Sequence, residues 1–477
     1  AAKDKVMAMS PDNHDFMEVD PKKVRYIIPS SRNLFTEATN AIPFLQCNQG
    51  NRTMTGSRQP SQGVSLLNRE APLVQVKSNS KDSFEKVFGS TFSHAAPEEG
   101  KVTHTVKDDL GNAEEIHITD KTGNTHKVQI YNHFPLNEKK TFIHSEPIVK
   151  IGDTVSKGQT IADTNFSKNG VMATGVNMHT GYVNYKSLTF EDSVVISESA
   201  AKKLSSIHMH RPTIETGPED VVSLNKFLAY ASSAGKKIKK DRLDNLDKEG
   251  VIKPGTRVKP GDILVAAVGK NELPEDFAKL GARLKGAILP YRDKSLVWDS
   301  EHEGEVVKVV KKPGETGYTV HVKTVEPMKV GDKLSARHGD KNIVGAILPD
   351  EHMPRVGGPN GKPLEMLTSP TGTPSRINLG QALELCASKI ANKTGTPYIT
   401  SNFQPGIDYA EKLRKELKEY GLKDKEVIYD PLLKVELENP VLTGHKYVLK
   451  LKHQVEKKES VRGMDQSLAR KYSINED

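Results

Sequence analysis

Hydrophobic and polar positions alternate along most of this chain with the short period of strands, broken by turn signals. Between residues 98 and 165, brief apolar runs are separated by Asp109-Leu110-Gly111-Asn112, Asp120-Lys121-Thr122-Gly123-Asn124 and Val149-Lys150-Ile151-Gly152-Asp153, which predicts an all-β region. Residues 251–335 return to that pattern: Tyr318, Val320 and Val322 alternate with Thr319, His321 and Lys323, as a half-buried strand requires. Similar turns recur at Val258-Lys259-Pro260-Gly261-Asp262 and Val330-Gly331-Asp332, and suggest barrel or hammerhead modules.

Helical periods are few. Residues 223–250 read as helical and then lysine-rich, with Gly235-Lys236-Lys237-Ile238-Lys239-Lys240 as an ordinary solvated run. Residues 376–393 place Leu379, Leu383, Cys386 and Ile390 on one helical face, so Cys386 reads as a small buried hydrophobe. Tyr409 to Tyr420 is the clearest helix. Asp408 caps it, Glu411 completes a capping box and pairs with Lys415, Tyr409, Leu413 and Leu417 form its stripe, and Gly421 ends it. An apolar island, Ala41 to Leu45, stands alone near the start.

Composition narrows the classes. The chain has 477 residues, 69 Lys+Arg against 61 Asp+Glu, a net charge of +8 and 35% apolar residues. That length allows about three domains. No run of about 18 apolar residues exists, so a membrane span is not expected. The opening AAKDKVMAMSPDNHD resembles no export leader. Two cysteines, Cys47 and Cys386, exclude a disulfide scaffold and a four-cysteine zinc site, and fit a reducing cytosol. There is no P-loop, no zinc-protease histidine pair, no nucleophile elbow and no aspartate trio able to hold a catalytic magnesium.

Candidate chemistry gathers in four segments. Gly331-Asp332-Lys333 to Arg337-His338-Gly339-Asp340-Lys341 combines cations with glycines that let backbone approach a ligand. A solvated basic turn has the same charge count; the glycines and the incoming strand favour a phosphate-facing loop. Asn51 to Gln62 carries Arg52, Arg58 and three amides, suited to phosphates and sugar hydroxyls or to a plain surface loop. Ser369 to Asn378 puts Arg376 just before a helix, an anion site or a proline-rich helix entry. Glu191-Asp192 precedes a β-branched run and suits magnesium, directly or through water, although such pairs are commonly only solvated.

Taken in order, these segments resemble the second-largest (beta) subunit of multisubunit DNA-dependent RNA polymerases. The resemblance is carried by Ile42-Pro43-Phe44-Leu45 with Asn51-Arg52 and Met54, by Phe190-Glu191-Asp192-Ser193 with Val195 to Glu198, and by Gly261-Asp262-Ile263-Leu264-Val265. It continues through Gly331-Asp332-Lys333 with Arg337-His338-Gly339 and Lys341, Pro374-Ser375-Arg376-Ile377-Asn378 with Gly380-Gln381, and Tyr447 to Leu451 before His453. The order spans nearly the whole chain. Asn342 departs from the family's usual glycine, Arg58 replaces a neutral residue, the region 216–325 is short, and the family's N-terminal half is missing. Those departures are similar to the divided beta-like subunits of giant-bacteriophage polymerases.

The resemblance implies a mixed α+β, β-rich fold: a double-psi β-barrel that grips the RNA–DNA hybrid, a β-rich flap-like insertion and a few helices. It implies a fork-like active-centre segment over 1–97, hybrid-binding regions over 98–215 and 326–477, and a shortened flap or wall over 216–325. Lys333, Lys341, Arg376 and Arg52 match residues at the RNA 3′ end and the incoming triphosphate. Gln62, Arg337, His338, His453 and Lys458 match nucleic-acid or substrate contacts, and Glu191 and Asp192 match the acidic pair near a second magnesium. The principal Mg2+ would sit on a beta-prime-like partner. Expected partners are that subunit, an N-terminal beta-like polypeptide, DNA template, RNA–DNA hybrid and nucleoside triphosphates, with room for a promoter-specificity factor and no membrane, in the cytoplasm of a bacterial host. Such a chain is needed for nucleotidyl transfer but inactive alone. The other readings are a non-catalytic nucleic-acid-binding module and a scaffold subunit of a transcription complex.

Overall fold

The computed structural model describes residues 5–10, 12, 15–26, 31–136, 141–235, 240–271, 291–311 and 317–455. Lys458 and the lysine run at 236–239 lie outside them. The described residues are β-rich with few helices.

Six strands close into a barrel: β1 (Val176–Tyr182), β2 (Ser193–Ser197), β3 (Lys333–Ala336), β4 (Lys341–Leu348), β5 (Met366–Thr368) and β6 (Val441–Lys450). Around the barrel they run β1, β5, β2, β4, β3, β6 and back to β1, with parallel pairing at β1–β5 and β2–β4. Strands distant in sequence become neighbours: Val176 lies opposite Val448, and Leu334 opposite Lys450. The interior is filled by Val176, Met178, Val194, Ile196, Leu334, Val344, Met366 and Val448, all at most 1% exposed. β-Branched and long apolar side chains on alternate positions supply that face, as a closed sheet requires.

The inward face of β6 is unusual. Val448 is flanked two residues either side by Lys446 and Lys450, both buried. Lys450 Nζ donates to the carbonyls of Glu326 (2.9 Å) and Pro327 (3.0 Å), while Lys446 is neutralised at the other end by Asp340. Each ammonium therefore has the partners a buried cation needs.

Two further clusters flank the barrel. One, around Ile116, Ile118 and Ile161, fills the β-region predicted from the turn signals; the other, around Trp298, Leu264 and Val320, fills the second. Ser206–His210 pairs with Tyr318–Glu326, which confirms the alternating strand read at Tyr318.

One local motif recurs in all three cores, with the pattern apolar-Lys-x-Gly-Asp at 149–153, 258–262 and 328–332. The aspartate carboxylate accepts the amide of Lys150 (2.8 Å), Lys259 (2.8 Å) or Lys329 (3.0 Å). The glycine takes φ of 101°, 86° or 91°, which only a residue without Cβ adopts at little cost. Its N–H and the aspartate carbonyl then clasp one residue of a neighbouring strand: Val102, Trp298 or Val344. The recurring turn is thus a clasp that ties a loop to each core.

Helix α1 (Gly50–Arg58) follows the Ala41–Leu45 island; α2 (Gly380–Thr394) and α3 (Tyr409–Glu419) pack around Phe44, Cys386 and Ile390. α2 lies directly on β6: a Cβ on Gly444 would come within 2.4 Å of the Leu385 carbonyl oxygen. α3 matches its predicted cap, stripe and ion pair, with Asp408 accepting the amides of Ala410 and Glu411, and Glu411 paired to Lys415 at 2.8 Å; the expected return bond of a capping box from the Asp408 amide to Glu411 is not formed. α2 starts four residues later than the pattern predicted. Leu379 is 50% exposed, because residues 377–380 are drawn away to pair with 47–49.

Candidate functional site

Three segments far apart in sequence meet beside the barrel. The amide of Gln49 donates to the Ile377 carbonyl (2.9 Å), that of Leu379 to the Cys47 carbonyl (3.2 Å), and that of Gly380 to Asn48 Oδ1 (3.0 Å). α1 then lies flat on the loop between β3 and β4. A Cβ on Gly56 would come within 2.2 Å of the Arg337 carbonyl, and one on Gly339 within 2.0 Å of the Arg52 carbonyl. Glycine is therefore required at both positions by close approach. Gln59 completes the joint, donating to the Asp340 carbonyl (3.3 Å) and accepting from Ser335 Oγ. This contact fixes where Arg52 stands. Its side chain is half-buried and, among the described residues, has no hydrogen-bond or ion-pair partner.

The β3–β4 hairpin presents the two lysines. Lys333 lies opposite Ile343, and Ser335 opposite Lys341, so Lys333 and Lys341 share one face as diagonal neighbours. Leu334 points the other way, into the barrel core. Gln62 and His453 join this edge: His453 Nε2 is 3.3 Å from Gln62 Oε1, and the His453 carbonyl accepts the Lys333 amide at 3.3 Å.

Glu191 and Asp192 come to the same end of β4 as Lys341, from the β2 side. The Asp192 carbonyl accepts from the Ile343 amide (3.0 Å) and from Asn342 Nδ2 (3.2 Å). Its carboxylate receives Nη1 of Arg376 in a short ion pair. That hydrogen bond, more than any other influence, raises the guanidinium pKa further. Backbone strain lies next to each partner: Glu191 has φ 51° and Ile377 φ 49°. For a β-branched residue the left-handed region is a true outlier, of the kind held where the surroundings over-determine it. Glu191 itself is exposed.

Beneath this pair a narrow polar cleft runs to the barrel mouth. Tyr182 Oη donates to Gln381 Oε1 (2.8 Å), which also accepts from Lys446 Nζ (3.2 Å), while Gln381 Nε2 donates to Thr373 Oγ1 (2.8 Å). Burial pushes the Tyr182 hydroxyl up to about 12. Burial opposes the charge on Lys446, but the Asp340 carboxylate outweighs it and keeps the ammonium protonated. Asp340 Oδ1, Asn342 Oδ1 and both amide atoms of Asn378 are buried in this cleft without a partner. The sequence reading named Asp340 and Asn378 within candidate segments but gave them no role, and it did not single out Tyr182 or Lys446. A lysine inside the apolar run of β6 was the available signal.

Arg337 and His338 stand apart from the other predicted site residues. They are 7% and 0% exposed. Arg337 donates to Glu384 Oε1 (2.5 Å), Glu85 Oε1 (3.2 Å) and the Val74 carbonyl (2.8 Å), and packs over the Tyr447 ring. His338 Nε2 meets Glu384 Oε2 at 2.5 Å, with its Nδ1 at 3.1 Å from Asn48 Nδ2. Burial raises the Glu384 carboxyl, but Arg337 and His338 together hold it down at about 2. Glu85 is pushed up to about 7 by burial, which exceeds the pull of Arg337. Both side chains face protein and form a knot that ties the hairpin loop to α2 and to Asn48.

Among the described residues no group of three His, Cys, Asp or Glu side chains could hold a metal ion, and no helix is long and apolar enough to cross a membrane. Of the two carboxylates at the rim, Glu191 is exposed and Asp192 is engaged by Arg376.

The chain is similar to known proteins along most of its length. The chain is 31% identical over 475 residues to the DNA-directed RNA polymerase subunit beta of Mycoplasmopsis synoviae, covering 95% of this chain and 37% of that one. It is 33% identical over 473 residues to the subunit of the same description from Mesomycoplasma hyopneumoniae, and 31% over 470 residues to that of Acetivibrio thermocellus. The chain spans a little over a third of the length of these relatives. The family described as RNA polymerase Rpb2, domain 6, matches residues 107–469, and the chain belongs to that family.

Proposed function

We propose that this chain is the C-terminal part of a beta-like subunit in a multisubunit DNA-dependent RNA polymerase, where it binds the triphosphate of the incoming nucleotide, the RNA 3′ end and the RNA–DNA hybrid. One observation carries the reading: α1 with Arg52, the Lys333/Lys341 hairpin and the Arg376–Asp192 pair are joined through residues 47–49, 337–343 and 376–380. Nucleotidyl transfer needs neutralised phosphates and an aligned 3′ hydroxyl, with little covalent help from protein. Fixed cations at a partly dry rim do both.

In this reading Arg52 and Arg376 hold triphosphate oxygens, Lys333 and Lys341 hold the 3′ end, and Gln62, His453 and Lys458 follow the hybrid backbone. Arg337 and His338 position the hairpin loop. Magnesium, when bound, would screen the attacking and leaving oxygens. Glu191 and Asp192 would face it from this side, and the incomplete donor set fits a principal site on a beta-prime-like partner. Other partners are an N-terminal beta-like polypeptide, DNA, the hybrid and a promoter-specificity factor. The six-strand closure suits a double-psi connectivity, with residues 216–325 as the flap-like part. Asn342 in place of glycine supports a divergent, giant-phage type of enzyme in the cytoplasm of a bacterial host.

The test is reconstitution. The chain alone should make no RNA, and should support synthesis when combined with partners that carry the aspartate trio. In the assembled enzyme Arg376→Ala or Lys333→Ala should lower turnover by roughly 100-fold, with subunits still co-eluting. Synthesis by the isolated chain, or full activity of both variants, would overturn the assignment. Full activity after Asp192→Ala would instead favour a non-catalytic binding module.

A further inference from the structure

The cleft beneath the rim carries more hydrogen-bond acceptors than its own groups satisfy. Asp340 Oδ1, Asn342 Oδ1 and Asn378 Oδ1 are buried without a donor, and Asn378 Nδ2 is the one orphan donor beside them. The three residues are only 6%, 6% and 1% exposed. Polar atoms at such depth are normally met by a partner, so several orphans converging on one cleft call for one. We propose that this cleft binds one dehydrated monovalent cation of potassium size, held by the side-chain oxygens of Asp340, Asn342 and Asn378. Such a site would stand whether or not the rim binds phosphate.

The oxygens are presented by fixed supports. Asp340 gives its other carboxylate oxygen to Lys446, whose ammonium also donates to Gln381 Oε1 (3.2 Å). Asn342 donates from Nδ2 to the Asp192 carbonyl (3.2 Å), which fixes its Oδ1 as the free atom. The Asn378 amide donates to the Thr373 carbonyl (2.9 Å), and its backbone bridges to Asn48. Ligands held in advance lose little freedom when an ion arrives. The ion would tie Asp340 and Asn342 of the β3–β4 hairpin to Asn378, two residues after Arg376.

Size, charge and stoichiometry select the occupant. The cavity is about 20 Å³, room for one particle the size of a water molecule, and a bare potassium ion has that size. A water molecule supplies two donors and would leave one of the three oxygens bare, whereas a cation serves all three at once. The charged residues lining the cleft are three carboxylates, Glu191, Asp192 and Asp340, against two cations, Arg376 and Lys446, which leaves a net charge of −1. One monovalent cation cancels it. Magnesium gives up its water shell reluctantly and asks for near-octahedral oxygen ligands, and the cavity cannot hold that shell. Carbonyl oxygens, the kind that Asn342 and Asn378 present, do replace the shell of potassium.

The test follows the thermal unfolding midpoint of the full chain in KCl, LiCl, MgCl2 or choline chloride at matched ionic strength. KCl should raise the midpoint above that in choline chloride by at least about 2 °C and in a saturating manner, while LiCl and MgCl2 fall well short of it. Asn342→Ala and Asn378→Ala each remove one ligand oxygen and should lose most of the potassium-specific shift. Equal shifts in all salts would mean charge screening, or a water molecule in the cleft, and would overturn the ion site. A saturating response to MgCl2 larger than that to KCl overturns it too, as does a potassium shift that both variants keep. Where circular dichroism shows that a variant has misfolded, wild-type crystals soaked in thallous acetate decide. Anomalous scattering from a thallium ion in contact with the oxygens of Asp340, Asn342 and Asn378 is expected, and its absence from the cleft overturns the site.

Discussion

Two charge clusters that meet at the β3–β4 hairpin have opposite surroundings. Arg337 and His338 are sealed among Glu384, Glu85 and Tyr447, whereas Lys333, Arg52 and the Arg376–Asp192 pair lie on a rim that solvent reaches. Within the buried knot every charge has a fixed opposite, and the net effect is geometric: α1, the hairpin loop and α2 are held in one register. At the rim, cations stand half-buried on backbones that the knot has already immobilised. A binding site that must present several cations at once needs both kinds, since mutual repulsion would otherwise spread them apart.

The most severe way to break this division is to remove the centre of the knot. Glu384→Ala leaves Arg337 with only the longer contact to Glu85 and takes the Nε2 partner from His338, both in a dry interior, and should destabilise the chain by about 3–5 kcal/mol. Urea unfolding measures it; a loss below about 1 kcal/mol would mean that water reaches the knot and that burial is not what separates the clusters. A neighbouring pair gives a sharper version. Lys446→Met alone strands Asp340 and should cost about 3 kcal/mol. Adding Asp340→Asn should recover most of that, because the unpaired charge, not the lost attraction, is the source of the penalty. A double variant no better than the single one would move the cause to packing around Lys446.

These residues also show what the sequence could and could not reveal. Local signals were legible. The stripe and cap of α3 follow from Asp408, Tyr409, Leu413 and Leu417, and each Gly-Asp turn is closed locally by the bond from its Lys amide to its Asp carboxylate. The order of motifs also pointed to the right family. What stayed hidden depends on contacts between distant strands. Nothing local tells that Val176 lies opposite Val448, and hence that Lys446 and Lys450 point inward. Arg337 and Lys333 look equivalent as members of one basic run. The first is buried because α1 and α2 both cover the loop that carries it, and the second is not because it lies at a strand edge. Leu379 was assigned to a helical stripe since the pairing of 377–380 with 47–49 has no period to reveal it.

Acidity sharpens the comparison further, with two carboxyls of one knot giving opposite slopes. Glu85 is raised to about 7 in the folded protein from 4.5. Its contribution is therefore fully present below about pH 4.5 and is lost as pH rises through 7, up to about 3 kcal/mol. Glu384 is depressed to about 2, so its contribution is present above pH 4.5 and disappears as pH falls towards 2. Unfolding free energy measured against pH should show Glu85→Gln flattening the decline between pH 4.5 and 7. An unchanged slope there would assign that decline to other groups.

The smallest effect on stability is expected at the rim, and its smallness is what makes it informative. The Lys333 side chain is half-buried and has no hydrogen-bond or ion-pair partner among the described residues, so Lys333→Ala should change unfolding free energy by less than about 0.5 kcal/mol. Arg376→Ala gives up a partly exposed pair with Asp192 and should cost no more than about 1 kcal/mol. A cation kept half-buried without a partner is unfavourable for the free chain, since it is partly desolvated and nothing offsets that cost. An anion bound there, as proposed, would offset that cost. Stability-neutral variants that nevertheless lose the reconstituted activity would separate binding cations from structural ones in a single experiment. If Lys333→Ala instead destabilised the chain as much as Glu384→Ala, the rim and the knot would be one structural cluster, and the division drawn between them would fail.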